Sequence, residues 1–257
     1  MFFFNDLIKS VKNHRYWFYA GYLEYLRKFR RSKLGPIWSG MNILIFIFSI
    51  GLVWSYLWKI SLIEYLPHFS AGVIFWSLVT LTFENSSVIY LESKETIKSI
   101  KINLFDFYFQ KTFLIFLNFI QSFLILLLVL FYFIDISPLG LLLTLFNLII
   151  VFLNIFLIII WSSILFLYFD DLKNIATQLI RILFLVTPII WKEELIGEYS
   201  VYLKFNIFYS FIEILRAPLL NNPFAHHYVA ILVFTLINFF ISVLVFNKNY
   251  KKVIFYL

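Results

Sequence analysis

Apolar runs long enough to cross a bilayer dominate the chain, and short polar stretches separate them. A crossing helix needs about 20 predominantly apolar residues for about 30 Å of hydrocarbon. Six segments have that character: Ile37–Trp58, Phe69–Tyr90, Thr112–Ile134, Leu139–Phe169, Ile175–Trp191 and Tyr228–Phe246. The fourth is long, which predicts tilt or extension past the lipid. No repeat of fixed period and no Gly/Ser linker divides the sequence. The pattern predicts one all-α membrane domain over 1–257, with an interfacial segment at 1–35, a six-span bundle at 37–246 and a tail at 247–257.

Two regions depart from the simple pattern. Before the first span, Phe18, Tyr22, Tyr25 and Phe29 fall on one side of a helical wheel, with Tyr19, Leu23 and Leu26 beside them. Glu24, Arg27, Lys28 and Arg31 fall on the other, which predicts an amphipathic helix lying in the interface. Between the fifth and sixth spans, Tyr199–Leu220 is apolar but contains Lys204, Glu213 and Arg216, each costly at a helix centre. That predicts two short helices dipping into one leaflet, broken near Asn206 and Pro218, and not a seventh span.

Composition agrees with lipid as the solvent. Hydrophobic residues make up 62% and charged residues 14%, against about 45–50% and about 25% in soluble domains. The basic residues set an orientation. With both termini cytoplasmic, seventeen of the 21 Lys and Arg lie inside, and only Lys59, Lys192, Lys204 and Arg216 lie outside. The Met-Phe-Phe-Phe-Asn-Asp start has no basic region and no small-residue cleavage site after it, so no cleaved signal peptide is expected. The expected location is an inner-type membrane with both termini on its cytoplasmic side.

Candidate chemistry is sparse. There is no Cys, which excludes thiol catalysis and thiolate metal sites. No phosphate-binding Gly-x-x-x-x-Gly-Lys run, His-Glu-x-x-His or nucleophile elbow occurs. His226 and His227 are adjacent and point apart on a helix, so they read as solvated loop residues and no metal site is expected. Asp170 and Asp171 read as a polar stop at a helix end. Glu84 and Arg181 lie inside spans, where charges are usually paired or face water, and could share one polar cavity.

The run from Arg27 to Trp38, Arg-Lys-Phe-Arg-Arg-Ser-Lys-Leu-Gly-Pro-Ile-Trp, resembles the opening signature of the permease subunits of ABC transporters that export O-antigen, capsule or teichoic acid. Arg30, Ser32, Leu34, Gly35 and Trp38 match it broadly. Phe169-Asp170-Asp171-Leu172, Thr187-Pro188-Ile189, and Phe205-Asn206-Ile207 followed by Glu213 and Arg216 are similar to later elements of that family, in order, over essentially the whole chain. Asn42, Asp170 and Ile207 depart from its pattern.

The resemblance implies a transmembrane subunit that moves a lipid-linked polysaccharide across the membrane. It implies a homodimer bound to two copies of a separate ATPase, which holds ATP and magnesium; this chain then carries no catalytic residue and no cofactor of its own, and nucleic acid is no partner. Arg27, Arg30, Arg31, Lys33, Leu34 and Gly35 would meet the lipid-pyrophosphate. Glu92, Lys94, Glu95, Lys98 and Lys101 would form a short charged helix docking in the ATPase, near Asp170 and Asp171. Trp38, Tyr56, Trp58 and Trp76 would line the polysaccharide path. An export permease of the same fold for a drug or lipid, a glycan-handling membrane enzyme, and an ATP-independent flippase remain alternatives.

Overall fold

The computed structural model describes residues 2–99, 103–222 and 225–256, and the side chains of these except at 98, 99, 254 and 255. The regular structure among them is helical. In order come α1 (Phe2–Lys12), α2 (His14–Phe29), α3 (Pro36–Trp58), α4 (Leu62–Ser99), α5 (Leu104–Phe133), α6 (Pro138–Tyr168) and α7 (Asp170–Val186). A 3-10 segment (Glu193–Phe205), α8 (Ile207–Leu219) and α9 (His227–Tyr256) follow. Five helices, α3, α4, α5, α6 and α9, are long and apolar enough to cross a membrane. The chain is thus an all-α protein of multi-pass membrane character.

Three element boundaries differ from expectation. The second span is the middle of α4, which has 38 residues and a length of about 57 Å. Glu92 and the residues after it therefore continue α4 instead of forming a separate helix. Nothing between Leu91 and Ser99 stops a helix, because Glu, Lys, Ser and Thr end a hydrophobic run without ending helical hydrogen bonding. Ile100–Ile102, and with them Lys101, lie outside the described residues. The fifth expected span, Ile175–Trp191, moves five residues toward the N-terminus to become α7, again 17 residues or about 25 Å. Pro188 ends it, since the residue before a proline is driven extended, and Thr187 has φ −84° and ψ 138°. Asp170 and Asp171 do not close the preceding helix; they occupy the first turn of α7, where the helix dipole favours acids.

Contacts define the two ends of the bundle. At one end α1 lies on the last turns of α9: Phe3 N–H donates to Asn247 Oδ1 at 3.1 Å and Phe2 stacks on Tyr250 at 4.6 Å. Asn103, just before α5, donates to the Asp6 carbonyl at 2.6 Å, and Tyr168 meets Tyr256 edge-on at 4.9 Å. At the other end Tyr65 donates to the Ile190 carbonyl, Lys192 pairs with Glu64, and Asn221 reaches the Asp135 carbonyl at 3.5 Å. The residues flanking α7 therefore meet partners at opposite ends.

Helix α4 is central and packs on α3, α5, α6, α7 and α8. Helix α3 touches the bundle through Gly40, Ile47, Gly51 and Ser55, small positions that let backbones approach, and exposes most of its remaining surface. Tyr199–Leu220 is not one helix. It breaks at Asn206, whose side chain accepts from Phe208 and Tyr209 N–H at the start of α8 and donates to Thr187 Oγ1 at 3.0 Å. The second expected break falls where α8 ends at Leu219, with Pro218 in its last turn. Helix α8 starts beside Trp76, with Phe208 at 5.7 Å, and ends at Gly140, where a Cβ would overlap the Pro218 carbonyl. Thr144 and Asn147 of α6 donate to its Leu215 and Ile214 carbonyls at 3.1 and 2.6 Å.

Helix α2 lies along α5. Its packing side carries Gly21, Glu24 and Tyr25, while Phe18, Tyr19, Tyr22, Leu26 and Lys28 are exposed. At this height α5 offers polar groups. Gln110 Nε2 donates to Glu24 at 2.7 Å, Tyr25 donates to Gln121 Oε1 at 3.2 Å, and Lys28 Nζ donates to Asn118 Oδ1 at 2.8 Å. Polar residues face inward because their partners are there.

Candidate functional site

A groove of about 350 Å³ lies between α2, α3, α4, α5 and α7. Helix α5 supplies its polar wall. Asn118, Gln121 and Ser122 stand at i, i+3 and i+4, so they share one face of an otherwise apolar helix. Ser39 from α3, with Ser77 and Thr80 from α4, line the same space. Phe46, Trp76 and Phe184 supply aromatic surface, and the Trp76 and Phe184 rings lie 5.8 Å apart.

Most polar protons here are already used. Ser77 Oγ donates to the Ile74 carbonyl at 2.6 Å, and Asn118 Nδ2 to the Leu114 carbonyl at 2.7 Å. Gln121 Nε2 donates to Ser39 Oγ at 2.6 Å and to the Pro36 carbonyl. Ser39 Oγ donates to that same carbonyl at 2.9 Å. Asn118 Oδ1 and Gln121 Oε1 each accept one bond, from Lys28 and Tyr25. A carbonyl oxygen keeps a second lone pair that can accept from a ligand hydroxyl. Lys28 brings a cation to the same groove. Burial lowers its proton affinity, and the Glu84 carboxylate pulls it back up.

Other expected site residues fall in several places. Trp76 is in the groove and buried; Trp38, Tyr56 and Trp58 are exposed on α3, Tyr56 at 85%. Arg27, Arg30, Arg31, Lys33 and Leu34 are exposed around the turn after α2. Gly35 has φ +55°, a conformation glycine adopts without strain, and its N–H donates to Ser32 Oγ at 3.1 Å.

Lys94, Glu95 and Glu92 are exposed at the end of α4. Glu92 is joined to Lys111, which is buried and also pairs with Glu24. The Lys98 side chain and Lys101 lie outside the described residues, and Asp170 and Asp171 are exposed. Glu84 and Arg181 are not brought together: Lys28 is the cation that acts on Glu84, and Arg181 is exposed on α7.

Sequence reasoning missed Lys28, Ser39, Asn118, Gln121 and Phe184. The spacing of polar residues on α5 was the signal that could have found three wall positions. It also misplaced His227, which is 4% exposed and contacts Ser210 Oγ through Nδ1 at 3.2 Å; it is a packed residue, while His226 is exposed. Arg216 is likewise buried, held by Glu213 and the Pro188 carbonyl. Among the described residues, no group of three His, Asp or Glu side chains converges as a metal site. Compared with family models and with curated proteins, the chain matches none.

Proposed function

We propose that this chain is the membrane subunit of an ATP-driven exporter that moves a lipid-linked polysaccharide across a bacterial cytoplasmic membrane. The observation that carries the reading is the groove: acceptor oxygens and aromatic faces side by side within a membrane bundle, with Lys28 among its lining residues. Sugar hydroxyls donate to such oxygens, and sugar C–H faces lie on aromatic rings without fixed hydrogen bonds, which suits a sliding polymer. Lys28 suits the phosphate end of a lipid carrier. The motif resemblance at Arg27–Trp38 points the same way.

In this reading α7 is the sixth crossing. It is short, but its flanking residues meet partners at opposite ends of the bundle, and a short helix is accommodated by local thinning. The end carrying α1 and the last turns of α9 is cytoplasmic, which keeps the basic excess inside. The 3-10 segment and α8 form a hairpin that enters and leaves at the outer side. Two copies of the chain work with two copies of a separate ATPase, whose contact surface is the charged end of α4 together with Asp170 and Asp171.

The test is ATP hydrolysis by the purified complex with its partner ATPase. Lipid-linked glycan should stimulate it, and Gln121→Leu should reduce that stimulation while basal hydrolysis stays. Copurification without any ATPase contradicts the reading and favours an ATP-independent flippase.

A further inference from the structure

Where α1 meets the start of α5, three side-chain oxygens are buried without a hydrogen-bond partner: Asp6 Oδ2, Ser10 Oγ and Asp106 Oδ1. Their residues are 5%, 0% and 2% exposed. Helical bonding runs on past α1, since Asn13 N–H donates to the Lys9 carbonyl at 3.0 Å. Asp6, Ser10 and Asn13 therefore stand at i, i+4 and i+7 and share one side. That side faces Asp106. Asn13 Nδ2 donates to Asp106 Oδ2 at 3.2 Å, and Asp6 and the Ser10 hydroxyl both act on the Asp106 carboxylate. Ser10 is thus a buried, unbonded hydroxyl turned toward a carboxylate that keeps an unbonded oxygen.

Positive charge is short here. Lys9 pairs with Asp6 at 3.9 Å, through Oδ1 and on a side chain 73% exposed, which leaves Oδ2 open. Among the described residues no Lys or Arg pairs with Asp106. The Tyr16 and Tyr250 phenols beside the two acids add no charge. Two buried carboxylates side by side repel, and a buried charge without a partner is costly. A water molecule between them offsets none of that charge. A shared proton offsets one unit and gives the Ser10 oxygen nothing to bind.

We propose that Asp6, Ser10 and Asp106 hold a divalent metal ion. Its two charges offset both carboxylates, and the three open oxygens are hard ligands of the kind that magnesium and calcium take. Metal–oxygen distances of about 2.0–2.6 Å are shorter than hydrogen bonds of about 2.7–3.2 Å, so a bare ion fits between oxygens that are closed to water. The ion ties α1 to the first turn of α5, beside the bond from Asn103 to the Asp6 carbonyl. It thereby clamps the N-terminal helix to the bundle. The site stands on its own residues and does not rest on the transport reading.

The experiment uses the full chain in detergent, stripped with EDTA and desalted. Thermal unfolding is followed at fixed ionic strength with magnesium chloride or calcium chloride, against sodium chloride and choline chloride. A parallel arm counts retained metal by mass spectrometry of the digested protein. Asp6→Asn, Asp106→Asn and Ser10→Ala serve as the variants; Ser10→Ala keeps both carboxylates and carries the test if an Asn variant fails to fold. The expected result is one divalent ion per chain and a midpoint raised by about 4 °C at ten times the dissociation constant. Either Asn variant should abolish the shift, and Ser10→Ala should weaken the ion's affinity about tenfold, the loss of one ligand to a charged group. No response to divalent ions overturns the proposal; if the midpoint then follows pH alone, the two acids share a proton instead. An equal shift with sodium chloride, or a divalent shift unchanged in the variants that fold, overturns it as well.

Discussion

Lys28 Nζ donates to Asn118 Oδ1 at 2.8 Å, so a cation from α2 is fixed on the polar face of α5. Asn118 belongs to the groove wall that also holds Gln121 and Ser122. In the proposed exporter this bond places positive charge where the phosphate of a lipid carrier arrives. Lys28→Gln should lower substrate-stimulated ATP hydrolysis roughly tenfold, about 1.5 kcal/mol of a charge-assisted bond. Burial lowers the proton affinity of Lys28 and Glu84 only partly restores it. The ammonium therefore loses its proton at a lower pH than an ordinary lysine, and stimulation should fall early on the alkaline side. Lys28→Arg should move that fall to higher pH, because a guanidinium stays protonated. A pH profile identical in the Arg variant would separate the fall from Lys28.

A second expectation concerns Lys111, the buried cation between Glu24 and Glu92. Its side chain is 3% exposed, while Glu24 is 22% and Glu92 55% exposed. Removing the shared cation strands two carboxylates, so Lys111→Ala should cost about 3–5 kcal/mol. Glu92→Gln removes a largely solvated partner and should cost less than about 1 kcal/mol. Thermal unfolding of the detergent-purified protein ranks the two. Equal losses would mean that Glu92 carries more of the network than its exposure indicates.

Gly140 and Gly51 make a paired test of close helix contacts. A Cβ at Gly140 meets the Pro218 backbone carbonyl, which cannot move without shifting α8; one at Gly51 meets the end of the Leu66 side chain. Gly140→Ala should therefore destabilise by about 1–3 kcal/mol as overpacking against backbone. Gly51→Ala should cost less, because Leu66 can change rotamer. Melting temperatures of the two variants in one detergent decide the order.

The path of α7 can be followed directly, since the chain has no native Cys. Single cysteines at Asp171 and Glu194 flank α7, and a membrane-impermeant maleimide should label only the Glu194 position from outside intact cells. Labelling of both from one side would remove the sixth crossing.

Much of the bundle was legible because the hydrophobic runs carry it. Leu139–Phe169 nearly coincides with α6 at Pro138–Tyr168, and Ile37–Trp58 with α3 at Pro36–Trp58. The break at Asn206 was readable because Asn is a good helix cap. Helix ends past the lipid were not readable: Glu92 ends an apolar run but not a helix. The facing of α2 was hidden for a related reason. A helical wheel shows which residues share a side, but Glu24 turns toward α5 because Gln110 and Lys111 await it there. The groove was partly visible in the spacing of Asn118, Gln121 and Ser122. Ser39 and Phe184 join it through tertiary packing alone, and so do the partners of His227 and Arg216.

The central claim is that the groove carries a lipid-linked glycan. Photocrosslinking tests it most directly, with benzoylphenylalanine placed at Trp76 or Gln121 in the complex with its ATPase, and at the exposed Tyr132 as a lipid-facing reference. Glycan adducts that depend on ATP are expected at 76 and 121, and only phospholipid adducts at 132. Phospholipid adducts alone at all three positions would contradict it.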